Sequence, residues 1–333
     1  MSHRANNVLR ATLPELVEGN VARYQLPMTT AQLNRPSIAL DQRPTHGNHS
    51  WWQEVWRRFA RQKGPLVAGY LFIGLLLLAL LAPVIAPYDP TEQFRKEGLS
   101  ALGEPLAPSG QFWLGTDGLG RDLFSRLIYG ARVSLGIGLT ASAIAVSIGL
   151  VVGGVAGFVG GKVDFFLMRL IDLIMSMPTF FIILLLVVML KPGVWVVITV
   201  ISLFSWTAPA RVFRSQILTV KQRDFVLAAY CLGARRRRIF VRHLLPHVLP
   251  LVVVYLALNV PTTIFAEASL SFLGLGVPQP TPSWGSMIQD GFAYYRAAPW
   301  IALFPGIAIA LAVVSINLLG TGLREAMDPM RKQ

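Results

Sequence analysis

Long apolar segments separated by polar ones dominate the hydrophobic pattern of this chain. A helix needs about 20 predominantly apolar residues to cross the hydrocarbon core of a bilayer, and six segments reach or approach that length. Pro178 and Pro209 lie inside the third and fourth segments, where each is either a kink or an edge of a span. The pattern predicts an all-α membrane protein with about six transmembrane helices. The predicted spans are residues 66–86, 131–158, 165–190, 194–210, 248–272 and 300–320.

Basic residues near the ends of the spans predict the orientation, because Lys and Arg favour cytoplasmic loops. They are concentrated just before the first span and in residues 211–247, where Asp224 is the only acid. Both segments are therefore expected in the cytoplasm. An even number of spans then leaves both termini cytoplasmic and makes residues 88–130 an external loop, where acidic residues outnumber basic ones.

The chain divides into three predicted regions. Residues 1–50 are rich in polar residues and proline without apolar periodicity, which predicts a disordered cytoplasmic tail. Residues 51–65 are expected to form an interfacial amphipathic helix, since aromatic and basic side chains alternate there at helical spacing. Residues 66–330 are expected to form the transmembrane permease domain. The apolar positions of the amphipathic segment are Trp52, Val55, Trp56 and Phe59.

The amino-acid composition also indicates a membrane protein rather than a soluble one. Of 333 residues, 53% are hydrophobic and only 14% charged, with a mean hydropathy of +0.53, so one aqueous globule cannot bury the apolar surface. The net charge of +13 suits the cytoplasmic loops of a membrane protein, and no nucleic-acid recognition module accompanies it. Cys231 is the only cysteine, which excludes an internal disulfide.

No motif for catalysis, nucleotide binding or metal binding is present. No nucleophile has a paired base. The Gly-Gly-Lys sequence at 160–162 lacks the flanking residues of a phosphate-binding loop. His243 and His247 are four residues apart, but Pro246 separates them and there is no third ligand, so no metal site is predicted.

Two features within the spans suggest packing or transport. Gly149, Gly153, Gly157 and Gly161 recur every four residues, a spacing that lets another helix approach closely. Glu267 is an acid toward the outer end of the fifth span, where ionisable groups are costly. It either reaches the membrane interface or lies on the translocation path, at an external gate.

The basic segment 211–247 is longer than a simple turn requires. Phe225, Ala228, Ala229 and Leu232 follow a helical period, and Gly233 offers a stop or a tight bend. A second, basic helix then starts at residue 235 and is expected to end at Pro246. The segment is either a short projecting helix suited to dock on another protein or a solvated basic loop.

The spacing of Ala228-Ala229, Gly233 and Leu245-Pro246 resembles the Glu-Ala-Ala…Gly…Leu-Pro loop of ABC importer permeases. Leu227 stands where that pattern has Glu, so docking through the helix would be kept while a contact made by that Glu would be lost. Residues 113–135, 267–276, 282–285 and 317–329 resemble the dipeptide, oligopeptide and nickel permeases, although Thr321 replaces the usual Asp. The coupling loop of the family would comprise Ala228, Ala229, Gly233, Leu245 and Pro246.

The resemblance implies a type I ABC importer permease fold in the bacterial inner membrane. Its expected partners are a second permease forming a heterodimer, two ATPase subunits or domains, an extracytoplasmic solute-binding protein and the lipid bilayer. ATP and Mg would be bound by the partner ATPases, with no cofactor and no catalytic residue in this chain. A peptide substrate is expected. The alternatives are a nickel or metal-chelate importer and an ion-coupled secondary transporter, for which no inverted repeat is evident.

Overall fold

The computed structural model describes residues 51–327, and the side chains of residues 51 and 52 are outside that description. The predicted tail of residues 1–50 therefore lies outside the described residues, as do the last six residues of the chain. Within the described part, the chain is helical apart from connecting segments, with isolated bridges pairing Leu99 with Pro105 and Thr116 with Asp122.

The helices are numbered α1 to α13 in chain order. They are α1 (Trp51–Ala60), α2 (Lys63–Leu80), α3 (Ala82–Ile85), α4 (Leu123–Val159), α5 (Gly161–Ser176), α6 (Thr179–Leu190), α7 (Val194–Ser205), α8 (Thr207–Lys221), α9 (Asp224–Cys231), α10 (Arg236–Ile239), α11 (Leu245–Phe272), α12 (Trp284–Phe292) and α13 (Trp300–Met327). A π-helical turn, Phe240–Leu244, joins α10 to α11.

Four helical segments within residues 51–327 are long and apolar enough to cross a membrane by themselves. They are Lys63–Leu80, Leu123–Val159, Arg236–Phe272 and Trp300–Met327. Two bent pairs could each form one further span: α5 with α6, bent by 84°, and α7 with α8, bent by 41°. The predicted number of about six is reached when each bent pair counts as one span.

Proline accounts for both bends. Met177, the residue before Pro178, takes an extended conformation that ends α5, as expected because a proline ring disfavours helical geometry in the preceding residue. Pro209 lies in the first turn of α8 and has no amide hydrogen to donate to the carbonyl of Ser205, the last residue of α7. Pro178 is thus a break between two helices, and Pro209 stands beside a milder bend.

Pro246 does not end a helix, contrary to the sequence prediction. It is the second residue of α11 and directly follows a π-helical turn, so the helix runs through the proline without ending there. The preceding π turn joins α11 to α10, so Arg236–Phe272 forms one continuous helical span. The basic helix predicted from residue 235 therefore continues into the fifth predicted span.

The long helix α4 is the axis of the fold. Its 37 residues correspond to roughly 55 Å at 1.5 Å per residue, well beyond the hydrocarbon thickness of about 30 Å. It packs against α2, α7, α8 and α11. One buried cluster at its start includes Leu123, Leu135, Ile264, Trp284 and Ile316. Another cluster, near its end, joins Val146 to α8, α9 and α11.

The segment between α3 and α4 is folded against itself. The rings of Tyr88, Phe94 and Phe112 contact one another with centroids 5.0 to 5.7 Å apart, and Phe112 is buried. Burying such rings supplies the apolar surface that a short segment without secondary structure needs for stability. This segment brings residues 113–122 to the start of α4.

Candidate functional site

The short helix α9 has one face buried in the protein and another exposed. Val226 is fully buried in a cluster with Ile239 and Leu244. Ala229 is half-buried, whereas Ala228 is exposed. Leu227 and, directly after the helix, Leu232 are 49% and 86% exposed. Two exposed leucines beside a small alanine form an apolar surface that can be covered by another protein.

Gly233 ends α9 through a defined hydrogen-bonded turn. Its backbone φ is +73°, the left-handed region that glycine enters without steric cost. The amide of Gly233 donates to the carbonyl of Tyr230 at 3.0 Å, and that of Ala234 donates to Ala229 at 3.1 Å. These two bonds form a Schellman motif, which satisfies the last carbonyls of the helix. No atom lies within 4 Å of a Cβ built at Gly233, so conformation rather than space requires glycine there.

Aromatic contacts fix α9 against the start of α11. The ring of Phe225 stacks on His247 with centroids 5.0 Å apart, and His243 lies 6.5 Å away. A ring nitrogen of His247 hydrogen-bonds to the carbonyl of His243 at 2.7 Å. Among the described residues, no group of three His, Cys, Asp or Glu side chains is placed to hold a metal ion. The two histidines therefore position α9.

The remaining residues of the predicted coupling loop lie beside α9. Leu245 is half-buried and Pro246 is exposed, both in the first turn of α11. The arginines at 235–238 are all exposed, next to the apolar surface of α9. Ala228, Ala229, Gly233, Leu245 and Pro246 thus lie in a single segment that ends in a membrane-spanning helix.

Three of the four repeated glycines in the second predicted span face α8. A Cβ built at Gly149 would lie 2.9 Å from the Cβ of Pro209, and one at Gly153 would overlap the carbonyl oxygen of Ala210. A Cβ at Gly157 would lie 2.9 Å from the carbonyl oxygen of Arg214. These glycines let the backbones of α4 and α8 touch, which couples α8 to the central helix.

Gly161 does not belong to this contact, contrary to the sequence interpretation. It is the first residue of α5, with a φ of +58° and no atom within 4 Å of a built Cβ. The helix carrying the repeat ends at Val159, before the fourth glycine is reached. Gly161 therefore serves the turn between α4 and α5.

Glu267 is buried at the opposite end of α11 from α9. Its carboxylate accepts hydrogen bonds from Ser134 of α4 at 2.9 Å and from Ser271 at 2.6 Å. The hydroxyl of Ser134 in turn accepts from the amide of Trp284, the first residue of α12, at 3.1 Å. The sequence suggested an acid at the membrane interface or on the translocation path, at an external gate. The structure places Glu267 in a buried contact that joins α4, α11 and α12, and its role on the path stays a prediction.

A buried charge cluster holds the segment between α3 and α4 to the start of α4. Asp117 contacts Arg121 at 2.6 Å and Arg126 at 3.2 Å, and all three side chains are at most 3% exposed. Asp290 of α12 lies 3.4 Å from Arg121 and 3.5 Å from Arg126. Burial raises the pKa of Asp290, while Arg126 opposes that shift. Sequence reasoning missed this cluster, although the four-residue spacing of Asp117 and Arg121 was a signal for a local pair.

Comparison with known proteins agrees with this architecture. The family model described as "Binding-protein-dependent transport system inner membrane component" matches residues 149–333. The chain belongs to this family. A second model, the N-terminal TM domain of oligopeptide transport permease C, matches residues 50–108.

Several characterised permeases are similar to this inner membrane component over most of their length. The dipeptide transport system permease protein DppC of Bacillus subtilis (strain 168) is 38% identical over 281 residues, 84% of this chain and 86% of that protein. The oligopeptide transport system permease protein OppC of the same strain is 37% identical over 280 residues, which cover 84% of this chain and 90% of that protein. The glutathione transport system permease protein GsiD of Escherichia coli O157:H7 is 41% identical over 281 residues, which cover 84% of this chain and 91% of that protein.

The family and the helices confirm the predicted fold class. The chain is a multi-pass protein of the inner membrane with the type I ABC importer permease fold. The cytoplasmic location of the termini stays a prediction based on the basic residues.

Proposed function

We propose that this chain is the membrane-spanning permease subunit of an ATP-driven importer of peptides, and that α9 is its coupling helix. The observation that carries the proposal is the structure of α9, whose inner face is buried while Leu227, Ala228 and Leu232 form an exposed apolar surface beside four arginines. A solvated basic loop would have no buried inner face, whereas Val226 of α9 is fully buried.

The occupant of this surface is a cytoplasmic ATPase. The importer would contain two ATPase subunits or domains, which bind ATP and Mg, a second permease and an external solute-binding protein. The family description, a component of binding-protein-dependent transport, supports this assembly. Leu227, where the family pattern has Glu, adds to the apolar surface, so docking here relies on apolar contact and on the nearby arginines.

Packing inside the chain offers a route from α9 to the transmembrane helices. Val226 shares a buried cluster with Ile217 of α8 and Val248 of α11. The glycine contacts carry any displacement of α8 to α4. ATP binding would favour one arrangement of these packed helices and hydrolysis the other, which is alternating access as a population shift.

A peptide substrate is proposed from the named relatives, which transport dipeptides, oligopeptides and glutathione. These names favour a peptide over the nickel or metal-chelate alternative. The aligned residues cover 84% of this chain and 86% to 91% of these relatives, so the comparison applies to the whole proteins. Selection of a particular peptide would be divided between this chain and the binding protein.

The proposal is tested by purifying the full-length chain from its native membrane in mild detergent and identifying its partners by mass spectrometry. Recovery of a second permease and ATPase subunits is expected, and proteoliposomes holding that complex should take up labelled peptide only with ATP and the binding protein. Recovery of the chain alone, under conditions that preserve a known importer, would reject the proposal. Uptake of nickel but not peptide would replace the substrate and keep the mechanism.

A further inference from the structure

An apolar groove of about 300 Å³ lies between α1, α2 and α13, away from both α9 and Glu267. Its walls are almost entirely hydrocarbon. Trp56, Tyr70 and Ile73 are more than half exposed on it. The lining includes Trp56 and Phe59 of α1, Leu66 and Ile73 of α2, and Leu319 and Leu323 of α13.

Glycine keeps the groove open in the middle. A Cβ built at Gly69 would meet Leu319 at 3.5 Å, an ordinary contact, so alanine fits there while a longer side chain would extend into the groove. Water gains little from an apolar groove that offers it no hydrogen-bond partners. An apolar occupant is therefore favoured, and α2 and α13 are membrane-spanning segments that give lipid chains direct access.

The groove adjoins a basic recess on α1. The ring of Trp56 lines both, and the recess is otherwise formed by residues that include Arg57 and Arg61. Both arginines are exposed, and no acidic partner for either is found within residues 51–327. Arg58, by contrast, forms an ion pair with Glu54. An apolar slot beside two available guanidinium groups is complementary to a molecule with a hydrocarbon tail and an anionic head.

We propose that this groove binds one anionic phospholipid of the bilayer. An acyl chain lies between Phe59, Gly69 and Leu319, and the phosphate is held by Arg57 and Arg61. Arginine suits this task because its planar group can donate two parallel hydrogen bonds to a phosphate. The position of α1 as an amphipathic helix with an aromatic face agrees with a site at the level of the lipid headgroups.

The experiment is native mass spectrometry of the full-length chain, purified with whatever subunits accompany it, stripped of lipid and given equal phosphatidylglycerol and phosphatidylcholine. The wild type should retain one phosphatidylglycerol in preference to phosphatidylcholine. The double variant Arg57→Gln/Arg61→Gln should lower that preference about 25-fold, since each basic residue near a charged headgroup contributes about fivefold. Arg95→Gln/Lys96→Gln makes the same change of charge at exposed positions away from the groove and should leave the preference unchanged.

A second pair of variants tests the acyl chain. Gly69→Leu should reduce retention of both lipids by filling the groove, whereas Gly74→Leu, on the same helix where a built Cβ has no neighbour within 4 Å, should not. Equal retention of the two lipids by the wild type would overturn the proposal. So would crosslinking of a photoreactive residue at position 56 to residues 1–50 or to another subunit in place of lipid, because the groove would then be a protein-docking site.

Discussion

Ser134 of α4 donates a hydrogen bond of 2.9 Å to the carboxylate of Glu267 on α11, 133 positions further along the chain. Both side chains are fully buried. Because Ser134 also accepts from the amide that begins α12, a single polar contact fixes three helices at one end of the protein. The contact is an internal crosslink between these helices, and the place of Glu267 at an external gate stays a prediction.

Removing that carboxylate should destabilise the fold. Glu267→Ala leaves the hydroxyls of Ser134 and Ser271 without their acceptor, and unmet buried polar groups cost about 1–3 kcal/mol each. We expect a lower Tm of the purified protein in detergent, measured by a thermal shift assay. Ser269→Ala, an exposed hydroxyl on the same helix that bonds only to the Phe265 carbonyl, is the matched control. A Tm unchanged in both variants would show that the crosslink is dispensable.

The contact between α4 and α8 should not tolerate a methyl group at Gly153. Its Cβ would overlap the backbone of Ala210, which cannot move as a side chain could. Gly153→Ala should therefore cost about 1–3 kcal/mol of stability, within the range for overpacking. Gly136→Ala, on the same helix with open space, should be neutral or slightly stabilising. Thermal unfolding of the two variants decides this, and equal melting would contradict the close approach.

The turn at Gly233 should accept asparagine and reject valine. Asparagine enters the left-handed region more readily than other non-glycine residues, whereas a β-branched residue is strained there. In the importer proposed above, Gly233→Val should lower ATP-dependent peptide uptake at least tenfold without preventing membrane insertion, and Gly233→Asn should stay close to wild type. Uptake assays on both variants in proteoliposomes provide the measurement. Normal uptake by the valine variant would remove the role assigned to this turn.

A charge on the exposed face of α9 should weaken ATPase binding. Leu232 and Leu102 are both 86% exposed, but only Leu232 adjoins α9, as the residue that follows Cys231, whereas Leu102 lies in the 88–130 segment. Leu232→Glu should reduce co-purified ATPase on the order of tenfold, because a carboxylate would have to be desolvated at the interface. Leu102→Glu should have no effect on that recovery. Quantitative mass spectrometry of the purified complexes compares them, and equal recovery would place the ATPase elsewhere.

The two acids of the charge cluster should contribute different amounts to the stability of the protein. Asp117 is 2% exposed and contacts both arginines, while Asp290 is 26% exposed. Asp117→Asn leaves two buried guanidinium groups facing a single, partly hydrated partner and should cost about 3–5 kcal/mol. Asp290→Asn should cost less, since Asp117 still compensates the arginines. Thermal shift measurements compare the Tm of the two variants. A larger decrease for Asp290→Asn would show that the contact with α12 contributes more to stability than Asp117 does.

Much of the fold could be predicted because it depends on local composition. Apolar segments of the required length indicate membrane spans wherever they pack, and Pro178 forces a break through its own backbone chemistry. The positions of Ala228, Ala229 and Gly233 identified α9 because a helix period and a glycine stop are properties of neighbouring residues. The same local reasoning failed at Pro246, where the position of the proline within its helix decides whether the helix ends.

The sequence by itself determined the membrane class, the approximate spans and the resemblance to importer permeases, since hydrophobic length and motif spacing are read from adjacent residues. Only the tertiary structure decided that Glu267 is an internal crosslink, that Gly161 stands outside the glycine contact, and that Asp117 and Asp290 share two arginines. The physical reason is that the environment of a polar group depends on which helices surround it. For Glu267 that neighbour lies 133 positions away, beyond any pattern a linear sequence displays.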